Sequence, residues 1–468
     1  MAESQLPAPL EGIHISDYKK ACVIYDKNTG CPIRIDVDAA ANLLISDMHI
    51  KTVLETDDIL YYYKGTHHKY GEKFINRIQV DQFSGMKTAD LREIYNVSST
   101  RKEIVDRIKA KTYTHLSNFD NNLDIINMAN GLYNIRTGEF KSHDPTYLSL
   151  IQTPVIYDPA AKCPIIDEIF SVMIRAEDLP KIYEFMGYVL YRTYELQKSF
   201  FLLGPGGTGK SYFLDVVLGL VGQNNASSVS LQDLQKDRFA SSDLYGKMVN
   251  VCGDLPATPL KDTDIFKKLT SNKDPIRAQE KGKPAFNFIN YAKLIFSMNK
   301  LPRSYDETSG WFRRIDIIPF EHVFTTEEYD EEKLGKLTSS EELSGLFNKV
   351  MPYLKGLLER HKFTNETDRA VTAERYKAAS NPVEEFVERH VEEAPGSWVA
   401  KAVMYQGYIK FCEMHSVAPL GKTKFGSEIK KHATWLKDAN SQDSRKVDGR
   451  SVSIWPNTAL NINKAVNL

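Results

Sequence analysis

A glycine-rich loop followed by a lysine and a serine is the part of this chain whose residue types and spacing most directly indicate chemistry. Gly204, Gly209, Lys210 and Ser211 fit the pattern G-x-x-x-x-G-K-[ST] without a mismatch, between an apolar run at 199–203, which predicts a strand, and an amphipathic stretch at 212–221. Such glycines let backbone N–H groups surround phosphate oxygens, and the following helix adds its positive end. A chance glycine-rich turn is the alternative. We predict an ATP site formed by Gly204, Pro205, Gly206, Gly207, Thr208, Gly209, Lys210, Ser211 and Tyr212.

Lysine, hydroxyl and carboxylate groups define the expected catalytic chemistry. Lys210 is predicted to contact the β- and γ-phosphates, and the Ser211 hydroxyl to bind Mg²⁺. Residues 249–255 (VNVCGDL) predict an apolar strand that ends in an acid, so Asp254 could complete the Mg²⁺ shell or orient the attacking water. Many ATPases place two acids here, whereas Gly253 precedes Asp254. The identity of the general base therefore stays open.

An asparagine and two arginines border two further apolar runs. Residues 292–298 predict a strand ending at Asn299, whose amide could hold the attacking water; a turn-capping asparagine is an equal alternative. Arg313 and Arg314 come directly before the apolar run at 315–320. They could form a solvated face, or present a guanidinium to the γ-phosphate of a neighbouring subunit. The second interpretation requires an oligomer.

The order of the motifs GPGGTGKS, VNVCGDL, AKLIFSMNKLP and WFRRIDIIPF resembles the superfamily III helicases, and specifically the helicase part of phage, plasmid and large-DNA-virus primase–helicases. The resemblance covers residues 160–325 and extends more loosely to both flanks. It implies an AAA+-like core, a sensor role for Asn299 and an arginine finger at Arg314, with Arg313 as second candidate. It also implies a hexameric ring that moves on single-stranded DNA, usually 3′ to 5′.

Two lysines mark the tip of a predicted hairpin between the second and third motifs. Lys281 and Lys283 flank a glycine, Arg277 lies nearby, and two phenylalanines could anchor the base. In the resembled family a hairpin at this place grips DNA, and six such tips around a pore would give a spiral of phosphate contacts. An ordinary basic surface turn is the alternative.

The C-terminal region, 381–468, has a local excess of basic residues. Residues 399–413 and 424–435 predict helices, and a hairpin with its turn at 447–450 follows. Two helices and a basic hairpin suggest a winged helix that contacts duplex DNA, while a solvated lid or protein-contact domain is the alternative. The candidate contacts are Lys424, Lys430, Lys431, Arg445, Lys446 and Arg450.

The N-terminal region offers weaker signals. Asp36 and Asp38 form an alternating D-x-D that resembles a primase metal motif, but aspartates at a helix start are also ordinary caps. The cap is the favoured interpretation. In the resembled family this position holds a collar domain, with any primase module further upstream, and such a module is expected to be absent from the chain. His67, His68 and His115 are predicted to be ordinary surface or core histidines.

Composition limits the remaining choices. The 468 residues are 42% hydrophobic and 26% charged with a net charge of −1, which is typical of a globular protein whose nucleic-acid contacts are local. No stretch of 18 apolar residues and no signal peptide is seen, so neither a membrane partner nor secretion is expected. Five scattered cysteines argue against a disulfide framework.

These patterns, together with the resemblance, predict an α/β protein with five segments: a leader (1–20), an α+β N-terminal region that the resemblance implies is a collar (21–150), a parallel-sheet P-loop ATPase (151–325), a helical connector (326–380) and a winged-helix domain (381–468). The predicted function is an ATP-dependent, Mg²⁺-using, hexameric DNA helicase or replication initiator. Its expected partners are single-stranded and duplex DNA, and a separate primase or polymerase could join them. The resemblance implies cytoplasmic action, in a bacterial or archaeal host or from a viral or plasmid gene. An ATP-switched DNA-binding regulator without unwinding activity is the alternative.

Overall fold

The computed structural model describes residues 18–461 except 96–98, 261, 307, 327, 329, 416, 418, 438, 440–442, 448 and 449. Most of the predicted leader, and the centre of the predicted turn at 447–450, lie outside the described residues. The chain divides into two compact units, Met1–Tyr157 and Asp158–Leu468. Among the described residues, no helix combines the length and the apolar character needed to cross a membrane.

The first unit is a small α+β assembly. Its strands form a hairpin (β1-β2), a four-stranded sheet (β5-β4-β3-β6) and a three-stranded sheet (β7-β8-β9). The apolar faces of its helices pack around one core that contains Leu44, Ile75 and Ile104. The pairs β1-β2, β4-β5 and β8-β9 are antiparallel hairpins. The elements are α1 (Tyr18–Cys22), β1 (Val23–Tyr25), β2 (Pro32–Ile35), α2 (Val37–Met48), β3 (Lys51–Val53), β4 (Ile59–Tyr63), β5 (Thr66–His68), α3 (Gly71–Phe83), α4 (Ser99–Thr112), β6 (Tyr113–Thr114), β7 (Ile125–Met128), β8 (Gly131–Asn134) and β9 (Phe140–Lys141).

The second unit begins with an α/β core. Its five-stranded sheet has the order β11-β12-β15-β10-β16, and every pairing is parallel. The strands β10 and β15 are buried along their whole length, as expected where helices cover both faces of a parallel sheet. The elements are α5 (Pro164–Met173), α6 (Leu179–Val189), β10 (Ser199–Leu203), α7 (Lys210–Val221), β11 (Ala226–Ser227), α8 (Leu231–Lys236), β12 (Val249–Cys252), α9 (Asp264–Leu269), β13 (Ile276–Ala278), β14 (Phe286–Phe288), β15 (Lys293–Met298), α10 (Ser309–Phe312) and β16 (Ile315–Pro319).

The register of this sheet brings strand ends together. Leu203 at the end of β10 lies opposite Met298 of β15 and Pro319 of β16. At the other end of β10, Ser199 lies opposite Ile315. The sheet therefore has a carboxyl edge, where the loops after β10, β12 and β15 emerge, and an amino edge where those strands begin. Ligands of open parallel sheets bind at the carboxyl edge.

Helices after β16 cover the core: α11 (Glu331–Gly335), α12 (Ser340–Arg360) and α13 (Arg369–Ser380). α12 packs against α6 where Gly187 faces Leu354 and the carbonyl of Val350. Tyr376 of α13 inserts its ring beside Trp311 and Phe312, and its hydroxyl donates to the carbonyl of Pro302 at 2.7 Å. α13 is thus packed into the hydrophobic core of the parallel-sheet region.

The last part of the second unit has a helix–strand–helix–helix–strand–strand order. It consists of α14 (Pro382–His390), β17 (Val391–Ala400), α15 (Lys401–Met414), α16 (Lys422–His432), β18 (Ser444–Val447) and β19 (Arg450–Leu460). The sheet order is β17-β19-β18. The two helices and the hairpin are confirmed, but β17 was not predicted. Pro395-Gly396 within β17 is a turn signal, and the pairing with β19 is irregular between Glu393 and Trp398.

Candidate active site

The loop between β10 and α7 is shaped by close approaches of its backbone. Gly207 and Gly209 have φ angles of 79° and 83°, in the left-handed region that favours glycine. A Cβ on Gly204 would collide with the carbonyl oxygen of Phe320, and one on Gly209 would collide with the Met173 sulfur. The glycines are therefore required both by the turn and by its neighbours. The loop ends at the N-terminus of a 12-residue helix, a favourable place for phosphate.

Lys210 is held inside this loop. Its ammonium donates to the carbonyls of Gly204 (2.8 Å) and Pro205 (2.7 Å), and lies 3.2 Å from the Thr208 hydroxyl. Burial lowers the pKa of Lys210, while the nearby carboxylate of Asp254 acts in the opposite direction. The loop carbonyls thus hold the ammonium inside the loop, beside the position expected for a bound phosphate. An anion there would relieve the desolvation of this charge.

The carboxyl edge also gathers the other predicted groups. Leu255 N–H donates to the carbonyl of Ser297 at 2.9 Å, which sets the turn that carries Asp254. Gly204 N–H donates to the carbonyl of Met298 at 3.2 Å, directly before Asn299. Asp254, Asn299 and Ser211 are all exposed at this edge. Hydroxyl and carboxylate oxygens are the ligands that Mg²⁺ prefers, so the donor set suits a magnesium-bound triphosphate.

The segment after β16 lies against the loop, and the sequence did not predict this. Phe320 N–H donates to the carbonyl of Leu203 (2.7 Å), and Phe324 N–H to that of Gly207 (3.0 Å). Glu321 pairs with Arg175, whose Nε lies 2.9 Å from its carboxylate. The only sequence signal was Gly204, whose lack of a side chain permits the approach of Phe320. These contacts bind the phosphate loop to the region between α5 and α6.

The arginine pair lies at the opposite, amino edge of the sheet. The Arg314 carbonyl accepts from the Ser199 N–H (2.8 Å) and hydroxyl (2.7 Å) at the start of β10. Since β10 is five residues long, about 15 Å of strand separates this point from the phosphate loop. The Arg314 guanidinium turns inward, is 7% exposed and donates to the Gly310 carbonyl at 2.6 Å, whereas Arg313 is exposed. Burial, and then the charge of Arg313, lowers the pKa of Arg314.

The predicted basic hairpin consists of β13 and β14, paired antiparallel. Gly282 at its tip has a φ of 81°, and Lys281 and Arg277 are exposed. Lys283 is also exposed and pairs with Glu280 at 2.5 Å. Phe288 is buried at the base, beside Tyr245. The hairpin follows α9 and leads to the start of β15, so its root lies at the amino edge with the arginines.

The predicted DNA-contacting residues of the C-terminal region differ in exposure and in hydrogen bonding. Lys424, Arg445, Lys446 and Arg450 are exposed on α16, β18 and β19. Lys431 is exposed but pairs with Glu428 at 2.7 Å. Lys430 is half-buried and its ammonium donates to the Ala439 carbonyl, so it is committed to the internal packing. The charges of Lys424, Arg445, Lys446 and Arg450 therefore remain available on α16, β18 and β19.

The first unit does not assemble its aspartates into a metal site. Asp36 caps α2 by accepting from Ala39 N–H at 3.0 Å, and Asp38 pairs with Arg107 (2.8 Å) and Lys111 (3.0 Å). These contacts fit the favoured cap interpretation. Among the described residues, no group of three or more His, Cys, Asp or Glu side chains could hold a metal ion. His67 is buried between aromatic rings, His68 contacts Thr66 at 2.9 Å, and exposed His115 pairs with Glu55 at 3.1 Å.

Comparison with known families gives three matches along the chain. Residues 46–174 match the family described as D5 N terminal like, and residues 378–453 match poxvirus D5 protein-like. Between them, residues 202–314 match a family of unknown function, DUF5906. The match to DUF5906 spans the phosphate loop, the hairpin and the arginine pair.

Solved structures of the C terminal region of NrS-1 also resemble the chain. One apo structure has 12% identity and a TM-score of 0.44, and covers 89% of this chain and 98% of its own. A second has 12% identity and a TM-score of 0.45, and covers 90% and 99%. The two D5-type family matches, one on each side of the DUF5906 match, support a relationship of this chain to D5-like proteins, a family of the primase–helicase kind.

Proposed function

We propose that this protein is an ATP-driven DNA helicase or replication initiator that works as a ring, hexameric as in superfamily III. One observation carries the proposal: the phosphate loop and the exposed Arg313 lie at opposite edges of one sheet. An arginine at the amino edge cannot reach the phosphate loop of its own chain. It can reach the phosphate loop of a neighbour if copies pack carboxyl edge against amino edge, and such a heterologous contact forms a ring when the rotation between copies closes.

In this proposal each group at the carboxyl edge has one task. The amides of the phosphate loop and Lys210 bind the phosphates, Ser211 and Asp254 hold the metal, and Asn299 orients the attacking water. Magnesium-bound ATP supplies the phosphoanhydride whose hydrolysis drives movement. Arg313 of the next subunit stabilises the charge that develops on the transferred phosphoryl group. We prefer Arg313 to Arg314 because Arg314 is buried and bonded to Gly310.

The DNA contacts are proposed on two surfaces. The exposed hairpin tip, with Lys281 and Lys283, would hold the backbone of a single strand in the pore. Its root shares the amino edge with the arginines, so hydrolysis at a subunit interface lies close to the DNA grip. The C-terminal region would act as a winged helix, in which α16 enters a groove of duplex DNA and the β18-β19 hairpin contacts phosphate.

The pore role is tested by replacing Lys281 and Lys283 together with alanine. We expect unwinding of a forked substrate to fall to background, because the grip is lost, while basal ATP hydrolysis stays within about twofold of wild type. A matched control replaces Lys355 and Lys362, two exposed lysines on and just after α12, and should unwind normally. Unwinding by the hairpin variant at the wild-type rate would refute the pore role.

The second candidate function is an ATP-switched, DNA-binding regulator that does not unwind. The observation favouring it is that α16, β18 and β19 carry exposed basic residues, which could bind duplex DNA without translocation. The two functions differ in what remains without residues 381–468. Without these residues, a helicase would still have its nucleotide site and its pore hairpin. A regulator would have lost the residues that contact its target DNA.

A further inference from the structure

The arginine pair is carried by a very short element. α10 has four residues, and its turn is closed by bonds from Trp311 N–H to the Thr308 carbonyl (3.1 Å) and from Arg313 N–H to the Ser309 carbonyl (3.1 Å). A helix of this length does not hold its own shape in water. The direction of Arg313 therefore depends on whatever anchors the turn Thr308–Arg314, which we call the arginine turn.

The anchor is a shielded ion pair. The carboxylate of Asp306 accepts from Thr308 N–H at 2.8 Å at the start of the arginine turn, and from the Thr263 hydroxyl. Lys267 of α9 places its ammonium 2.7 Å from the same carboxylate. The Asp306 side chain is 11% exposed and that of Lys267 27%. Burial alone would raise the pKa of Asp306, but hydrogen bonds from Lys267, Thr263 and Thr308 lower it well below its usual range.

α9 connects this anchor to the hairpin. Phe266 of α9 packs against Trp311 of the arginine turn, with ring centroids 4.7 Å apart. The same helix ends at Leu269, and the hairpin strand β13 begins at Ile276. The arginine turn is thus fixed to α9 twice, through Asp306 and through Trp311. Only the first of these contacts is polar and directional.

We propose that Lys267 and Asp306 are positioning residues, which hold the arginine turn so that Arg313 meets the nucleotide of the neighbouring subunit. This inference rests on the proposed function, because it requires an active site shared between subunits. It assigns a catalytic consequence to a pair that touches neither nucleotide nor DNA.

Subunit mixing tests the inference. A Lys210→Ala subunit has no working phosphate loop but an intact arginine edge, and an Arg313→Ala subunit has the reverse. Each should be inactive alone, and an equal mixture should recover about a quarter of the wild-type ATPase rate, since random mixing creates that share of complete interfaces. Asp306→Asn should behave as Arg313→Ala does. We expect kcat to fall at least about tenfold with KM within about twofold, and activity to return with Lys210→Ala but not with Arg313→Ala.

Two further variants separate positioning from general damage. Asp264 carries the other carboxylate near Lys267: its oxygen lies 3.3 Å from the ammonium, and its side chain is 72% exposed. The Asp264→Asn variant should hydrolyse ATP normally. Lys267→Met combined with Asp306→Asn should lose no more activity than either single change, because the two side chains act as one unit. Losses that multiply would overturn the paired role.

The mixing results also test the inference separately from the proposed function on which it rests. If Lys210→Ala and Arg313→Ala subunits complement each other but Asp306→Asn is not rescued by Lys210→Ala, the pair maintains folding or assembly and the inference is overturned. Full activity of Asp306→Asn alone overturns it as well. If Lys210→Ala and Arg313→Ala do not complement each other, the shared active site itself is wrong, and the inference falls with it.

Discussion

Arg313 and Arg314 are adjacent in sequence but have opposite environments. The Arg313 side chain is exposed at the amino edge, whereas that of Arg314 is buried and bonded to Gly310. A guanidinium that must contact another subunit has to leave its own chain, and a buried one must first break its internal bonds. The exposed member of the pair is therefore the one suited to intersubunit catalysis.

This difference predicts two distinct phenotypes. Arg313→Ala should reduce kcat for ATP by at least about a hundredfold with little change in melting temperature, because a finger acts on the transition state. Arg314→Ala should instead lower the free energy of unfolding by about 1–3 kcal/mol, since it leaves the Gly310 carbonyl without its charged donor. Steady-state kinetics and thermal unfolding of both variants check this. The reversed pattern would return the finger role to Arg314.

His67 in the first unit gives a pH-dependent prediction at the same scale. Burial lowers the pKa of His67 to about 4, from a value near 6.5 in an unfolded chain. Between these pH values the unfolded chain binds a proton that the folded chain does not, so stability is lost as the pH falls through that window, by roughly 3 kcal/mol in all.

Replacing His67 with Phe should remove this loss. The site is 3% exposed and lies beside the rings of Tyr62 and Phe119, so an apolar aromatic ring suits it. The free energy of unfolding of wild type and variant, measured by denaturant at about pH 7 and about pH 4.5, provides the comparison. The variant should lose less stability than wild type. An equal loss would mean that other groups dominate the acid response.

At the scale of elements, the close packing of α6 on α12 leaves no space for an added methyl group. A Cβ on Gly187 would lie 2.8 Å from Cβ of Leu354 and 3.0 Å from the Val350 carbonyl. Gly187→Ala should therefore destabilise the second unit by about 1–3 kcal/mol. Gly426 of α16 has nothing within 4 Å, so Gly426→Ala is the control and should be neutral or stabilising. Thermal unfolding followed by circular dichroism measures both.

Much of the second unit could be predicted because parallel strands appear as continuous apolar runs. β10 was predicted with its exact limits and β15 to within one residue, and their polar ends identified the carboxyl edge. β17 was missed because Pro395-Gly396 resembles a turn within a strand. The Arg175–Glu321 pair joins residues 146 positions apart, and no local sequence pattern predicts such a contact.

The anchoring pair of the arginine turn was missed for the same reason. Lys267 and Asp306 lie in segments that the sequence marks only as charged and turn-rich, and their meeting depends on how α9 packs against the sheet. Sequence patterns predicted groups that would contact phosphate, but not the side chains that we propose to orient one of them. Packing likewise determines that Arg313 is exposed and Arg314 is buried. Both residues directly precede the same strand, so the sequence alone does not distinguish them.

At the scale of the whole second unit, the hydrophobic core around the parallel sheet includes α13. Tyr376 of α13 packs against Trp311 and Phe312, and its hydroxyl is bonded to Pro302. Ala379 belongs to the same core cluster. A boundary drawn at the end of β16, or at the start of α13, would therefore cut through the hydrophobic core. A cut after Ser380, where α13 ends, keeps every buried member of that cluster, but it uncovers Ala378, which packs against the helices that follow.

This boundary yields a test that separates helicase from regulator. A chain ending at Ser380 should fold and hydrolyse ATP, whereas one ending before Arg369 should lose cooperative unfolding, because removing a buried tyrosine and its neighbours opens a cavity costing about 3–5 kcal/mol. For a helicase, the chain ending at Ser380 should still unwind a forked substrate while losing affinity for duplex DNA. For a regulator, the same chain should hydrolyse ATP but show no DNA-dependent activity in any assay. Unwinding by the shortened chain would assign the motor to residues before 381, and a loss of duplex affinity in the same chain would assign the duplex contact to the removed region.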